Sequence, residues 1–183
     1  MKRGFEIVSK YLDQNVNLPK RATNQAAGYD FEVAIDYVVP SIWKYGFLKA
    51  LKTILQEKII NDDQGHNAQQ IIKPVLVPTG IKAYMEKNEV LMLINRSSGP
   101  LKKSLILPNA VGVIDADYYN NEKNEGEIFV QLLNFGLRDV TLRKGERIAQ
   151  GIFMPFLLTD NDAMTSKQVR QGGFGSSDNN VGL

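Results

Sequence analysis

Apolar and polar positions alternate, or run apolar, in short stretches along this chain, at residues 5–11, 29–38, 71–77, 90–94, 127–133, 140–142 and 147–155. A period of two places successive side chains on opposite faces of a pleated strand, so each stretch is expected to be a β-strand. Pro78-Thr79-Gly80, Ser98-Gly99-Pro100, Asn134-Phe135-Gly136 and Arg143-Lys144-Gly145 punctuate them with turn-forming residues. Short strands at close spacing, without alternating helices, argue for an all-β sandwich or barrel and against a parallel α/β sheet. The chain carries no internal repeat.

One stretch has the helical period instead. Over residues 41–60 the apolar positions Phe47, Leu48, Leu51, Ile54, Leu55 and Ile59 fall on one face, with Lys49, Lys52, Gln56 and Glu57 opposite. Pro40 cannot sit inside that helix and Ser41 suits its N-cap. With the polar run that follows, residues 41–70 read as a helical insertion in a single domain spanning 1–183. Its apolar face either packs on the domain or docks a protein partner. His66 falls in the polar loop without a cluster of ligand-type residues beside it and is expected to be idle. Residues 160–183 are too poor in apolar side chains to fold alone and read as a flexible C-terminal arm. Phe174, framed by glycines, suggests that a ligand orders it.

Composition narrows the chemistry. The 183 residues include 22 Lys and Arg, 20 Asp and Glu, one His and no Cys. Disulfides, thiolate metal sites and a cysteine nucleophile are therefore excluded, and so is a zinc site built on several histidines. A net charge of +2 without a basic stripe does not argue for nucleic-acid binding. Lys102-Lys103 and Arg143-Lys144 read as solvated turn residues. No apolar run is long enough to span a bilayer, so no membrane association and a cytoplasmic location are expected.

Four stretches carry candidate chemistry built from carboxylates, hydroxyls, amides and Arg. Ala27-Gly28-Tyr29-Asp30 ends a glycine turn in a carboxylate, which by itself reads as a turn residue. Asn95-Arg96-Ser97-Ser98 leaves a strand with a guanidinium fork and two hydroxyls. These donors suit phosphate oxygens, although Arg96 alone could equally pair with a barrel carboxylate. In the stretch 109–118 Asn109 offers both a donor and an acceptor, as a nucleobase edge requires. Asp115 and Asp117 flank Ala116 and would share a face in an extended chain, either as a general base and a salt-bridge partner or as two solvated turn residues. In the stretch 144–150 alternation puts Arg147, Ala149 and Gly151 on one face and Ile148, Gln150 and Ile152 on the other. Gln150 is then a polar group on an apolar face, a local violation of the kind functional sites show.

Taken in order, AGYD, RSS, GVIDADY, GERIAQ and GGFGSS resemble the five motifs of the trimeric dUTPase family, over residues 27–177. Five ordered matches are far more specific than any one of them. The resemblance implies a jelly-roll β-barrel assembling as a homotrimer, with a C-terminal tail closing each active site. It also implies hydrolysis of dUTP to dUMP and pyrophosphate with Mg²⁺. On that reading Asp115 activates the attacking water. Asn109 and the backbone at Val113 and Ile114 read the uracil, and Tyr118 packs under the deoxyribose and rejects a 2′-hydroxyl. Arg96, Ser97 and Ser98 hold phosphate oxygens, as does Arg170, and Gln150 faces the α-phosphate and the water. Asp30 supports the metal through its water shell, with the triphosphate as the metal's main ligand. Phe174 stacks on the base while Gly175, Ser176 and Ser177 wrap the phosphates.

Three features depart from the family pattern. The family commonly continues its third motif as D-Y-R-G, whereas residues 119–125 separate Tyr118 from Gly126 here. Arg170 stands two residues before Gly172, where the family usually has Arg three before, and the 41–70 insertion falls between the first and second motifs. Two rival readings remain. A dCTP deaminase shares the barrel and the Arg-Ser-Ser segment, but needs a Glu general base where alignment puts Gln131, whose amide cannot take up a proton. A regulator on the same fold would use the 41–60 helix to bind a partner protein.

Overall fold

The strand with the cleanest alternation sits at the centre of the main sheet. In this computed structural model, which describes residues 2–43, 51–52, 55 and 73–162, strand β7 (Glu89–Asn95) buries Leu91 and Leu93 and turns Val90, Met92 and Ile94 to the other face. The other strands are β1 (Gly4–Ile7), β2 (Lys20–Arg21), β3 (Tyr29–Glu32), β4 (Tyr37–Val39), β5 (Val75–Pro78) and β6 (Ile81–Tyr84), then β8 (Leu105–Ile106), β9 (Val111–Asp115), β10 (Phe129–Asn134), β11 (Val140–Leu142) and β12 (Arg147–Pro155). Helical structure among the described residues is slight: a single turn at Ser98–Lys103, 3-10 turns at Ser9–Tyr11 and Ala116–Tyr118, and the helical, exposed residues Leu51, Lys52 and Leu55.

Every strand pairing is antiparallel. The largest sheet runs β2-β3-β12-β7-β9, and smaller sheets are β5-β10-β8, β1-β6 and β11-β4. Inward residues of all these layers meet in one apolar core, with Phe31, Val77, Leu91, Ile128, Val130 and Leu142 fully buried. Burying each such side chain contributes about 1.5–3 kcal/mol, so the layers are held chiefly by this shared interior. Gly151 is part of the fit: a Cβ there would lie 2.7 Å from the Phe31 ring and 2.9 Å from Leu91.

Several sequence expectations change in detail. The strand expected over 5–11 ends at Ile7, and the remainder curls into the Ser9–Tyr11 turn. The stretch 29–38 divides because Val33 donates to Glu146 and Ala34 to Pro78, which leaves Asp36 to bind Arg143 and the Lys144 backbone. Ser41 bridges to Asn134, and its Oγ accepts the Trp43 N–H at 3.2 Å. Strands β2, β6, β8 and β9 were not separately legible, being short or only weakly alternating. The rest of the 41–70 insertion, His66 with it, and residues 163–183 lie outside the described residues. No helix among the described residues is long and apolar enough to cross a membrane.

The turns follow their residue types. Gly80 adopts φ +67°, and a Cβ there would lie 2.9 Å from the Tyr11 ring. At the next turn the buried Asn134 amide donates to Val39 O and Arg138 O while its oxygen accepts the Gly136 N–H.

Candidate active site

The exit of β7 brings three of the sequence stretches together. Gln150 lies level with Ile94 on one side and with Asp30 on the other, so β7, β12 and β3 deliver their ends to one edge of the sheet. Gln150 Nε2 donates to Asn95 O at 3.1 Å, and Asn95 Oδ1 accepts the Leu107 N–H at 3.1 Å. These bonds tie the Gln150 side chain and the incoming 105–110 segment to the same residue.

One step further, Arg96 Nε donates to Asp30 Oδ1 at 2.8 Å and Arg147 Nη1 donates to Asp30 Oδ2 at 3.0 Å. Both oxygens of one largely covered carboxylate are thus spent on guanidinium groups. The Arg96 fork also reaches Ser98 Oγ and the Arg147 carbonyl, each at 3.4 Å. A cleft of about 180 Å³ opens beside it, lined by Arg96, Ser98, Gly99, Lys103, Glu146 and Arg147 over an apolar floor. Lys103 pairs with Glu146 across it, and partial burial holds its ammonium below the ordinary lysine range. Chemically, Arg96, Arg147 and Lys103 outnumber Asp30 and Glu146 by one charge, and with the hydroxyl donors this suits an anion with several oxygens.

Strand β12 is irregular where this occurs. A bulge between Arg147 and Ala149 breaks the strict alternation expected for 147–152, so Ile148 and Ala149 are both buried. Arg147 is left exposed at the cleft. The sequence reading singled out neither Arg147 nor Lys103 for the site. A basic residue inside the GERIAQ stretch was the available signal for Arg147, whereas Lys103 read as a solvated turn residue and is instead half-buried.

The 109–118 stretch lies along the other edge of β7. Asn109 is exposed, within a turn closed by Ala110, which has φ +57° and donates to Leu107 O. Val113 is 55% exposed and Ile114 partly covered, and β9 is the outermost strand of its sheet. Asp115 ends β9, and Ala116–Tyr118 then forms a 3-10 turn. Asp115 and Asp117 are therefore not successive same-face positions of an extended strand. Tyr118 is buried at 5% exposure, its hydroxyl donating to Glu127 O at 2.9 Å.

Register separates the two halves. Asp115 lies level with Val90, whereas Gln150 lies level with Ile94, four residues along β7 and on its opposite side. At about 3.3 Å per residue and roughly 4.8 Å per strand, their backbones are roughly 16 Å apart. Arg96 lies further off still. Within one chain, Asp115 and the Arg96–Gln150 group cannot both touch one water molecule.

Asp30, Arg96, Ser98 and Gln150 form one group; Val113, Ile114, Asp115 and Tyr118 follow β9 and its end toward Val90, while Asn109 precedes Val111, which lies level with Ile94 at the other end of β9. Ser97 is exposed next to Arg96. Arg170, Phe174, Gly175, Ser176 and Ser177 lie outside the described residues. Gln131 lies in β10 opposite Leu76, in a different sheet from β9. Among the described residues no group of three or more Asp, Glu, His or Cys is placed to hold a metal ion.

Comparison with known proteins identifies the family. The sequence pattern of the dUTPase family matches residues 67–178. The deoxyuridine 5′-triphosphate nucleotidohydrolase of Lactococcus lactis subsp. lactis (strain IL1403) is 45% identical over 175 residues, covering 96% of this chain and 97% of that protein. The crystal structure of dUTPase from Streptococcus mutans superposes with a TM-score of 0.67 at 46% identity, covering 86% of this chain and 98% of that one. A D95N mutant dUTPase from phage phi11 of S. aureus, described as coordinating a structural Mg(II) ion, shares the fold at 15% identity and a TM-score of 0.59, over 92% of this chain and 97% of that one. With four of its five ordered motifs within the described residues, on or beside β3, β7, β9 and β12, the chain belongs to the dUTPase family, as a dUTP diphosphatase.

Proposed function

We propose that this enzyme cleaves dUTP between the α- and β-phosphates in a site completed by neighbouring copies of the chain in a homotrimer of jelly-roll barrels. The observation that carries the proposal is the separation of Asp115 from Gln150 and Arg96 along β7. Groups that must act on one water and one phosphorus atom, yet lie roughly 16 Å apart in one chain, meet when the β9 edge of one copy faces the cleft of another.

In that site Asn109 and the β9 backbone at Val113 and Ile114 read the uracil edge and exclude a 5-methyl group, and Tyr118 closes on the deoxyribose. Asp115 accepts a proton from a water whose oxygen attacks the α-phosphorus; the bond from that phosphorus to the bridging oxygen breaks, and pyrophosphate leaves. Gln150 orients the water and the α-phosphate. Arg96, Ser97 and Ser98 bind phosphate oxygens, joined by Arg147 at the cleft edge. Arg170, Phe174, Gly175, Ser176 and Ser177 close the site from the C-terminal arm.

The donor set fits Mg²⁺ carried by the triphosphate, since Mg²⁺ keeps much of its water and binds substrate phosphates rather than a dedicated protein cage. When bound, the ion supplies charge neutralisation on the phosphate oxygens. Asp30 contributes by fixing Arg96 and Arg147, and a contact from it to the ion's water shell would have to use the lone pairs those two bonds leave. A cytoplasmic location belongs to the same reading and rests on the nucleotide substrate. Measuring pyrophosphate release from dUTP, dTTP, UTP and dCTP with Mg²⁺ tests the assignment. Turnover confined to dUTP is expected; ammonia release from dCTP would overturn it.

A further inference from the structure

The segment 119–126, where this chain departs from the common D-Y-R-G pattern, folds back onto Tyr118. Asn124 Nδ2 donates to the Tyr118 hydroxyl at 2.8 Å, and that hydroxyl donates onward to Glu127 O at 2.9 Å. Asn121 Nδ2 donates to the Tyr118 carbonyl at 2.9 Å and to Asn124 Oδ1 at 2.8 Å. Asn121 Oδ1 accepts the Lys123 and Asn124 N–H groups, and Asn124 Oδ1 accepts that of Gly126. An amide oxygen engaged by backbone N–H fixes where its NH₂ must point, so both side chains are locked with their donors on Tyr118.

The loop's backbone is shaped for this. Asn120 and Glu125 have φ of 54° and 57°, and a Cβ on Gly126 would fall 2.5 Å from Tyr118 O. The loop's outer side is held as well: Lys82 donates to Asn120 Oδ1 at 2.6 Å and Tyr119 donates to Glu6 at 2.6 Å, so β6 and β1 brace it.

We propose that Asn124, held by Asn121, is a positioning residue for Tyr118 and through it sets the preference of the site for deoxyribose over ribose. The proposal rests on the reading of Tyr118 as the sugar contact. A ring rejects a 2′-hydroxyl by occupying its place, and this works only while the ring cannot back away. The Asn124 and Glu127 bonds to the phenol hold it at its far end, so a loosened ring admits ribose.

The test is kcat/KM for dUTP and for UTP with the full-length assembled protein. Asn124→Ala is expected to lower the dUTP-to-UTP ratio about tenfold, with kcat for dUTP within about threefold of the parent. Tyr118→Phe keeps the ring but removes both phenol bonds, so it should lower the ratio similarly, and the double variant should add little. Tyr118→Phe also serves if Asn124→Ala fails to assemble, because the loop's own bonds survive in it. An unchanged ratio in Tyr118→Phe and in folded Asn124→Ala, with the ratio lowered in Tyr118→Ala, overturns the proposal but keeps Tyr118 as the sugar contact. An unchanged ratio in Tyr118→Ala overturns the sugar reading itself.

Discussion

Arg96 is held by Asp30 through Nε at 2.8 Å, and the other oxygen of that carboxylate is taken by Arg147. The pairing joins the first motif to the second and fourth and presents the remaining Arg96 donors to the cleft. Asp30→Asn keeps the shape but loses the charge that balances two guanidiniums. We expect kcat/KM for dUTP to fall by about one to two orders of magnitude, equivalent to about 1.4–2.7 kcal/mol of transition-state stabilisation. Steady-state pyrophosphate release, with thermal melting as the control for folding, checks this.

Gly28 and Gln150 are joined more tightly than their sequence distance suggests. A Cβ on Gly28 would lie 2.5 Å from Gln150 Oε1 and 3.2 Å from its Cβ. Gly28→Ala therefore pushes the Gln150 amide off its bond to Asn95 O. The account expects kcat to drop by about tenfold or more, since displacing an orienting group by an ångström costs rate rather than stability. A variant with the parent's kcat would separate Gln150 from the chemistry.

Asp115→Asn tests the proton acceptor. Binding of a non-hydrolysable dUTP analogue should persist while pyrophosphate release falls by about two to four orders of magnitude. Unchanged turnover would remove Asp115 from the mechanism.

Glu127 gives a pH prediction. It is buried, its Oε1 has no hydrogen-bond partner among the described residues, and burial pushes its carboxyl above the ordinary range despite Lys10, the Gly80 N–H and Tyr11. A carboxyl whose folded value is raised favours the folded state while protonated, and loses that contribution as pH rises through the folded value. Glu127→Gln, which imitates the neutral acid, should thus melt above the parent at pH 8, with the gap closing toward pH 4. Melting curves across that range decide it; a gap that widens toward acid contradicts the sign.

Much of this was legible in the sequence, for reasons visible residue by residue. Leu91 and Leu93 alternate cleanly with Val90 and Met92, so β7 is readable; Arg96 reaches Ser98, and Gln150 binds the carbonyl of Asn95 next to Arg96. A barrel carboxylate for Arg96 was one of the two readings its motif allowed; that Asp30 is that carboxylate and shares itself with Arg147 was not legible, because it depends on the register of β3 against β12 across a bulge. The division of 29–38 escaped as well: Val33 and Ala34 send their N–H groups to Glu146 and Pro78, partners set by tertiary packing. The clasp on Tyr118 escaped for a third reason: the lengthened 119–125 segment is visible in the sequence, but that Asn121 and Asn124 turn back onto Tyr118 depends on how the loop closes.

The central claim is that Asp115 and the Arg96–Gln150 group serve one site only from different copies of the chain. Mixing two inactive variants, Asp115→Asn and Gln150→Ala, and reassembling them together tests it most directly. If the halves come from different chains, random mixing restores roughly a quarter of the parent's pyrophosphate release, because some sites then receive both intact halves. Mixed assemblies as inactive as either variant alone would contradict the account and place the whole site within one chain.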